Sequence, residues 1–126
     1  ASHSNARGAC FHLRNLSDEM IRQLAERGGV TGINFCPSFL REEEPAAKKA
    51  STMDMVRHMK YLRKVGGIDI IGLGTDFDGF SGETDVPDAA HMQHLADVMS
   101  HEGFTDEEIE KIFSKNVLRV FEECWK

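Results

Sequence analysis

The stretch IIGLGTDFDG, residues 70–79, decides how this sequence folds. Its apolar part is too short for a helix and is flanked by glycine, which predicts a buried strand of a parallel sheet. Two carboxylates, Asp76 and Asp78, follow this part directly. Loops after the strands of parallel α/β folds converge on one pocket, so the position favours a functional site. A purely structural Asp-Gly turn is the alternative, because both residue types are common in turns.

Helices and strands alternate before this stretch. The predicted elements are a helix capped by Ser17 and ended by Gly28-Gly29, a strand over residues 30–35, a helix from Ser51 or Thr52 to about Val65, and a strand over residues 69–73. The segments 38–50 and 79–87 are expected to be exposed loops.

Two further helices are expected after the acidic stretch. The first carries Met92, Leu95 and Met99 on one face, and the second begins at Thr105, which has capping-box spacing to Glu108. The polar start of the chain indicates that a strand ends just before residue 1. The alternating order implies right-handed βαβ units and a parallel sheet.

Composition places the chain among ordinary globular proteins. Its 126 residues suffice for one domain, and 15 basic against 21 acidic residues give a net charge of -6. No basic cluster offsets this charge, which argues against nucleic acid as a partner. No apolar stretch approaches the ~20 residues of a membrane span, so no membrane insertion is evident.

Cysteine usage favours a reducing compartment. The three cysteines are an odd number and widely spaced, at Cys10, Cys36 and Cys124. This pattern is more typical of free thiols than of a disulfide framework, so a cytoplasmic location is expected.

His3 is the candidate metal ligand. Metal sites of hydrolases need imidazoles or carboxylates that project from rigid elements into one pocket. His3 would follow a strand, as Asp76 does, so the two would share one rim if the strands are parallel. Four other histidines are expected to be structural or surface residues and not metal ligands: His58, His91, His94 and His101.

Arg14 is the candidate substrate anchor. It lies in a loop before the first helix, where a guanidinium suits bidentate capture of a substrate carboxylate. Arg7 is a competing candidate, and an ordinary surface arginine is the alternative for Arg14. Gly72 and Gly74 lie inside the strand and open no helix, which argues against a dinucleotide site.

Five segments of the chain together resemble the C-terminal portion of the membrane dipeptidase family, also called the renal dipeptidases or peptidase family M19. They are SHSNAR (2–7), RNLSD (14–18), TGINF (31–35), GLGTDFDG (72–79) and NVLRVF (116–121). The resemblance implies a (β/α)8 TIM barrel of the metal-dependent amidohydrolase type. It also implies two zinc ions bridged by a glutamate, and hydrolysis of dipeptides, often with a D-residue at the C-terminal position.

The resemblance assigns a role to three residues. His3 corresponds to a zinc ligand, Arg14 to the residue that grips the substrate's terminal carboxylate, and Asp76 to the catalytic acid/base. The family's His-x-Asp motif, its bridging glutamate and its other zinc-binding histidine have no counterpart here. Residues 1–126 are therefore expected to be the C-terminal portion of a dipeptidase barrel without its N-terminal half, with at most a partial zinc site.

Two other functions stay open. One is a non-catalytic α/β module that binds or self-associates through its open sheet edges. The other is an amidohydrolase that acts on another amide or a lactam. The expected partners are a dipeptide substrate, and either a second copy of the chain or the missing half of the barrel.

Overall fold

A computed structural model describes residues 1–43 and 45–125 as a mixed α/β structure. Its α-helices span Asp18–Glu26 (α1), Pro37–Leu40 (α2), Thr52–Gly66 (α3), Met92–His101 (α4), Asp106–Glu110 (α5) and Asn116–Cys124 (α6). Its strands are Thr31–Ile33 (β1), Lys49–Ala50 (β2), Ile71–Leu73 (β3) and Glu83–Thr84 (β4). None of the described helices is long and apolar enough to cross a membrane.

The strands pair in parallel, as the alternation of elements predicts. β1 lies beside β3, with Thr31 opposite Ile71 and Ile33 opposite Leu73. β2 pairs with β4 in a second, smaller sheet. Because β1 and β3 run in the same direction, the loops that follow them emerge at one edge of the sheet.

The first residues of the chain lie beside β1 and are hydrogen-bonded to it, although they form no strand. The Gly32 N–H donates to Ala1 O (3.0 Å), and the Ser4 N–H donates to Gly32 O (2.9 Å). Between these bonds, the Ser2 carbonyl fills the space that a Cβ at Gly32 or Gly74 would need. Glycine at both positions therefore permits the close approach of this segment to β1 and β3.

One hydrophobic core joins the helices to the sheet. α3 lies centrally and is ended by Gly67, which adopts a φ of +91°. The core includes fully buried side chains from each layer: Ile21, Ile33, Phe35, Leu40, Met55, Met59, Leu62, Ile71, Leu95, Met99 and Ile112. The helical periodicity of α1, α3 and α4 predicts these buried faces.

Both segments expected to be exposed loops contain regular structure. Pro37 begins α2, where its fixed φ suits a first helical position, and Leu40 is fully buried. β2 and β4 lie within the other parts of these segments, each only two residues long. Asp85 connects the segment 79–87 to α3, because its carboxylate accepts hydrogen bonds from the Thr52 N–H (2.8 Å) and the Thr52 Oγ1–H (3.1 Å).

Three boundaries also differ from the prediction. β1 covers only Thr31–Ile33 of the strand expected over residues 30–35. Ile68–Ile70 forms a 3-10 turn, so the strand expected over residues 69–73 is only β3. The C-terminal helix is divided by a π-helical turn at Lys111–Lys115. Directly after that turn, Asn116 Nδ2 donates to the carbonyls of Ile68 (2.9 Å) and Ile71 (2.8 Å), which fixes α6 to the beginning of β3.

Candidate active site

The three predicted site residues lie outside the helices and strands. His3 belongs to the segment beside β1, Asp76 follows β3, and Arg14 precedes α1. The backbone of His3 packs against Gly74, two residues before Asp76. His3 and Asp76 are thus on neighbouring chain segments, as the parallel strands predict.

A strained turn presents Asp76. Both Asp76 and Asp78 adopt left-handed backbone conformations, with φ of +60° and +67°. Such values are uncommon outside glycine, although aspartate tolerates them better than most residues. The Gly79 N–H donates to Asp76 O (2.9 Å), and a side chain at Gly79 would overlap Asp76 Oδ1. Glycine at position 79 therefore allows Asp76 Oδ1 to lie against the backbone of the turn.

A buried asparagine contacts the Asp76 carboxylate. Asn34, the residue after β1, donates from Nδ2 to Asp76 Oδ2 at 3.3 Å. Its own backbone is held by a second asparagine, because the Asn34 N–H donates to Asn5 Oδ1 (2.7 Å) and Asn5 Nδ2 donates to Asn34 O (2.9 Å). Sequence reasoning missed both residues. The available signal was an asparagine at the end of an apolar strand, where a buried amide needs partners.

His3 has one ring nitrogen engaged. Its Nδ1 is hydrogen-bonded to Ser2 Oγ at 2.6 Å, and the residue is half-buried. This contact leaves Nε2 as the nitrogen that could ligate a metal. No group of three or more His, Cys, Asp or Glu side chains within residues 1–43 and 45–125 could hold a metal ion. His3 can therefore supply one coordination position of a site, not a whole site.

Arg14 is supported by aromatic contacts. Its guanidinium lies over the Phe39 ring, 5.4 Å from the centroid, and His12 contacts the same ring edge-on at 4.6 Å. The Arg14 N–H donates to His12 Nδ1 (3.1 Å). Among the described residues no carboxylate pairs with the exposed Arg14 guanidinium, which leaves it available to an anionic ligand.

Arg7, the competing candidate, is used within its own loop. Its Nη2 donates to Leu13 O at 3.1 Å, and its Nε is buried without a partner in the described structure.

No hydrogen bond or ion pair in the described part of the chain joins any two of His3, Arg14 and Asp76.

The other histidines have local partners. His58 is fully buried, and this burial lowers its pKa from 6.5 to about 4. His91 Nδ1 contacts Asp88 at 2.6 Å, and the hydrogen bond lowers the pKa of that carboxyl. His94 Nε2 contacts Asp85 at 3.1 Å. His58 is therefore a structural residue and His91 and His94 are surface residues, as the sequence predicts.

A cavity of about 240 Å³ opens beside the acidic turn. It is lined by Phe77 and Asp78 from the turn and by polar and apolar residues of the following segment: Phe80, Gly82, Glu83, Thr84, Val86 and Pro87. Phe77 also packs edge-on against Phe35 of the core, with ring centroids 5.7 Å apart. The cavity is large enough for one small side chain of a ligand.

Parallel strands with polar side chains on the segments at their carboxyl ends are typical of α/β proteins that carry a site at that edge of the sheet. Within that class the chain belongs to the membrane dipeptidase family (peptidase family M19), whose model matches residues 1–125. It is 34% identical over 126 residues to an uncharacterized protein from the pqqA 5′ region of Klebsiella pneumoniae, covering 46% of that protein. It is 32% identical over 123 residues to the dipeptidase tcpJ of Claviceps purpurea, covering 28% of it.

Solved structures of related proteins share the fold of this chain. A metallopeptidase from Rhodobacter sphaeroides, crystallised with a phosphinate mimic of the dipeptide L-Ala-D-Ala, matches with a TM-score of 0.89 and 30% identity. The match covers 97% of this chain and 35% of that protein. The probable dipeptidase PvdM of Pseudomonas aeruginosa shares the fold, with a TM-score of 0.87 and 22% identity over 94% of this chain and 43% of PvdM.

These matches confirm the predicted fold class, part of a TIM barrel of the amidohydrolase type. The chain therefore spans less than half the length of the two curated relatives described above.

Proposed function

We propose that this chain supplies part of the active site of a zinc-dependent dipeptidase and forms the C-terminal portion of its barrel. The proposal is supported by family membership over nearly the whole chain and by the presence of His3, Arg14 and Asp76 at positions that match the family's motifs. The observation that carries it is the packing of His3 against Gly74, because this contact brings the metal-ligand candidate beside the segment that connects β3 to Asp76.

An exposed apolar face supports the partial barrel. Phe121 and Trp125 stack with ring centroids 5.0 Å apart, and Leu118 is also exposed. In a complete barrel the helices form a continuous outer ring, so neighbouring elements cover such side chains. The rest of the barrel would pack near α6 in this arrangement.

Zinc fits this chain at one position. A catalytic zinc ion needs about three protein ligands, and His3 Nε2 would be one of them. The other ligands would come from another part of the protein. When bound, zinc polarises the scissile carbonyl and activates water for attack.

The remaining chemistry belongs to side chains of this chain. Arg14 holds the terminal carboxylate of the dipeptide, which fixes the peptide bond relative to the metal centre. Asp76 accepts a proton from the attacking water and donates it to the leaving amine. The cavity beside Asp78, which has both polar and apolar lining residues, accommodates a substrate side chain.

Metal analysis of the enzyme that contains this chain tests the proposal. His3→Gln should lower the zinc content and abolish most turnover of L-Ala-D-Ala, because one ligand is lost. His101→Gln is the control, since this imidazole is exposed and distant in sequence from the site. Zinc content and turnover unchanged by His3→Gln would contradict the proposed role.

A further inference from the structure

We infer that Asn34 is a positioning residue that fixes the Asp76 carboxylate and directs the transferred proton to Asp76 Oδ1. This inference rests on the proposed function of Asp76 as the acid/base. It starts from the hydrogen bond between Asn34 Nδ2 and Asp76 Oδ2.

The orientation of the Asn34 amide is determined by its neighbours. The backbone N–H of Cys36 lies 2.8 Å from Asn34 Oδ1. A backbone N–H can only donate, so the atom it contacts must be the amide oxygen. The other end of the side chain is therefore the NH2 group, which faces Asp76. Asn34 has no exposed surface, so water does not compete for these bonds.

The backbone of Asn34 is fixed as well. Both of its peptide groups bond to the side chain of Asn5, which is also fully buried. The next residue continues the connection, because the Phe35 N–H donates to Thr75 O at 3.2 Å. Asn34 thus reaches Asp76 from a rigid support, which is what a positioning role requires.

The direction of the hydrogen bond selects the reactive oxygen. An amide NH2 donates and cannot accept, so Asp76 Oδ2 must remain an acceptor. A proton on Oδ2 would weaken this bond, whereas Oδ1 accepts no hydrogen bond from the described residues. We therefore assign the proton taken up by Asp76 to Oδ1. In the proposed reaction the O–H bond of water breaks as the Oδ1–H bond forms. That proton then passes to the leaving nitrogen, while Asn34 neither gains nor loses one.

Kinetics of Asn34→Asp provide the first test. The aspartate side chain has the same size and still accepts from the Cys36 N–H. It replaces the NH2 group that donates to Asp76 with a carboxylate oxygen. In the zinc-loaded enzyme kcat should fall roughly ten- to hundredfold, the effect of losing a hydrogen bond to a charged group, with KM changed less than about twofold. Asn116→Asp is the matched control. That buried amide donates to the carbonyls of Ile68 and Ile71 and accepts from Arg119 Nη1, none of which belongs to the proposed site, so the folded variant should keep its kcat.

Nuclear magnetic resonance tests the contact without activity. In the 126-residue chain, Asp76→Asn should shift the side-chain amide signals of Asn34 upfield, because a neutral acceptor replaces a charged one. Asp78→Asn should leave them unchanged. The double variant with Asn34→Asp and Asp76→Asn exchanges donor and acceptor, so it should regain stability relative to Asn34→Asp without regaining turnover.

The outcomes separate the two proposals. Full kcat in Asn34→Asp, while Asp76→Asn is inactive, overturns the positioning role and leaves the proposed function intact. Asn34 signals that do not respond to Asp76→Asn overturn it as well. Turnover retained by Asp76→Asn overturns the acid/base assignment and, with it, the role of Asn34.

Discussion

His58 Nδ1 accepts a hydrogen bond from the Ala6 N–H at 3.2 Å, which connects the middle of α3 to the segment that carries His3. The other ring nitrogen, Nε2, lies 3.1 Å from Leu40 O. Because the N–H can only donate and the carbonyl can only accept, His58 must be neutral with its proton on Nε2. The imidazole therefore supports the candidate site from within the core.

This arrangement predicts a loss of stability in mild acid. The pKa of His58 is about 4 in the folded chain against an ordinary 6.5, so the unfolded chain binds the proton first as pH falls. Its contribution is complete above about pH 6.5 and decreases until about pH 4, by roughly 3 kcal/mol in total. Urea unfolding at several pH values measures this slope.

His58→Gln should flatten that pH dependence, although the variant itself is less stable. His101→Gln, at an exposed position, should leave the slope unchanged. A slope that is equally steep in His58→Gln and in the unmodified chain would show that other groups cause it.

Gly74→Ala should displace the segment that carries His3. The added methyl group overlaps the Ser2 carbonyl, at a cost of roughly 1–3 kcal/mol or more. Hydrogen exchange of the Ser4 N–H should then become faster, because its bond to Gly32 O depends on this packing. Gly103→Ala is the control. A methyl group at position 103 meets no atom within 4 Å, and the only strain comes from the φ of +96° at this residue. The Ser4 N–H should therefore stay protected from exchange.

Arg14→Gln should weaken binding of dipeptides with a free terminal carboxylate. The loss of a charge-assisted bidentate contact should lower kcat/KM about ten- to hundredfold, mostly through KM. Dipeptide amides, which lack that carboxylate, should be affected much less. Arg22→Gln, on the exposed face of α1, is the matched control. Equal effects on the acid and the amide would exclude the anchoring role.

Asn116→Ala should destabilise the chain by about 2–3 kcal/mol, because two carbonyl groups near the start of β3 lose their donor. Gln93→Ala removes only an exposed contact to Asp97 and should change the free energy of unfolding little. Chemical denaturation of both variants gives the comparison, and equal stabilities would argue against the fixing of α6 by Asn116.

Local signals account for what the sequence predicts well. α1 begins after Ser17, whose side chain accepts from the Met20 N–H, and α5 begins with the capping box of Thr105 and Glu108. Such caps involve neighbours a few residues apart, so residue type and spacing suffice to place them. The parallel pairing of β1 with β3 follows from the alternation of strands and helices.

The missed features depend on contacts between distant segments. β2 and β4 have two residues each, too few for a periodic pattern, and they exist because they pair with each other. The bond from Asn34 to Asp76 likewise requires that two strand ends meet. For the site, family motifs suggest His3, Arg14 and Asp76, whereas the supporting roles of Asn5 and His58 appear only in three dimensions.

The most direct test of the proposed catalysis is the kcat of Asp76→Asn in the zinc-loaded enzyme, compared with that of Asp78→Asn. Both changes remove one carboxylate from the same turn, and asparagine tolerates the left-handed conformation at either position. We expect Asp76→Asn to lower kcat by about two to four orders of magnitude with its zinc content intact, and Asp78→Asn to affect kcat far less. Equal loss in both variants, or full turnover in Asp76→Asn, would contradict the assignment.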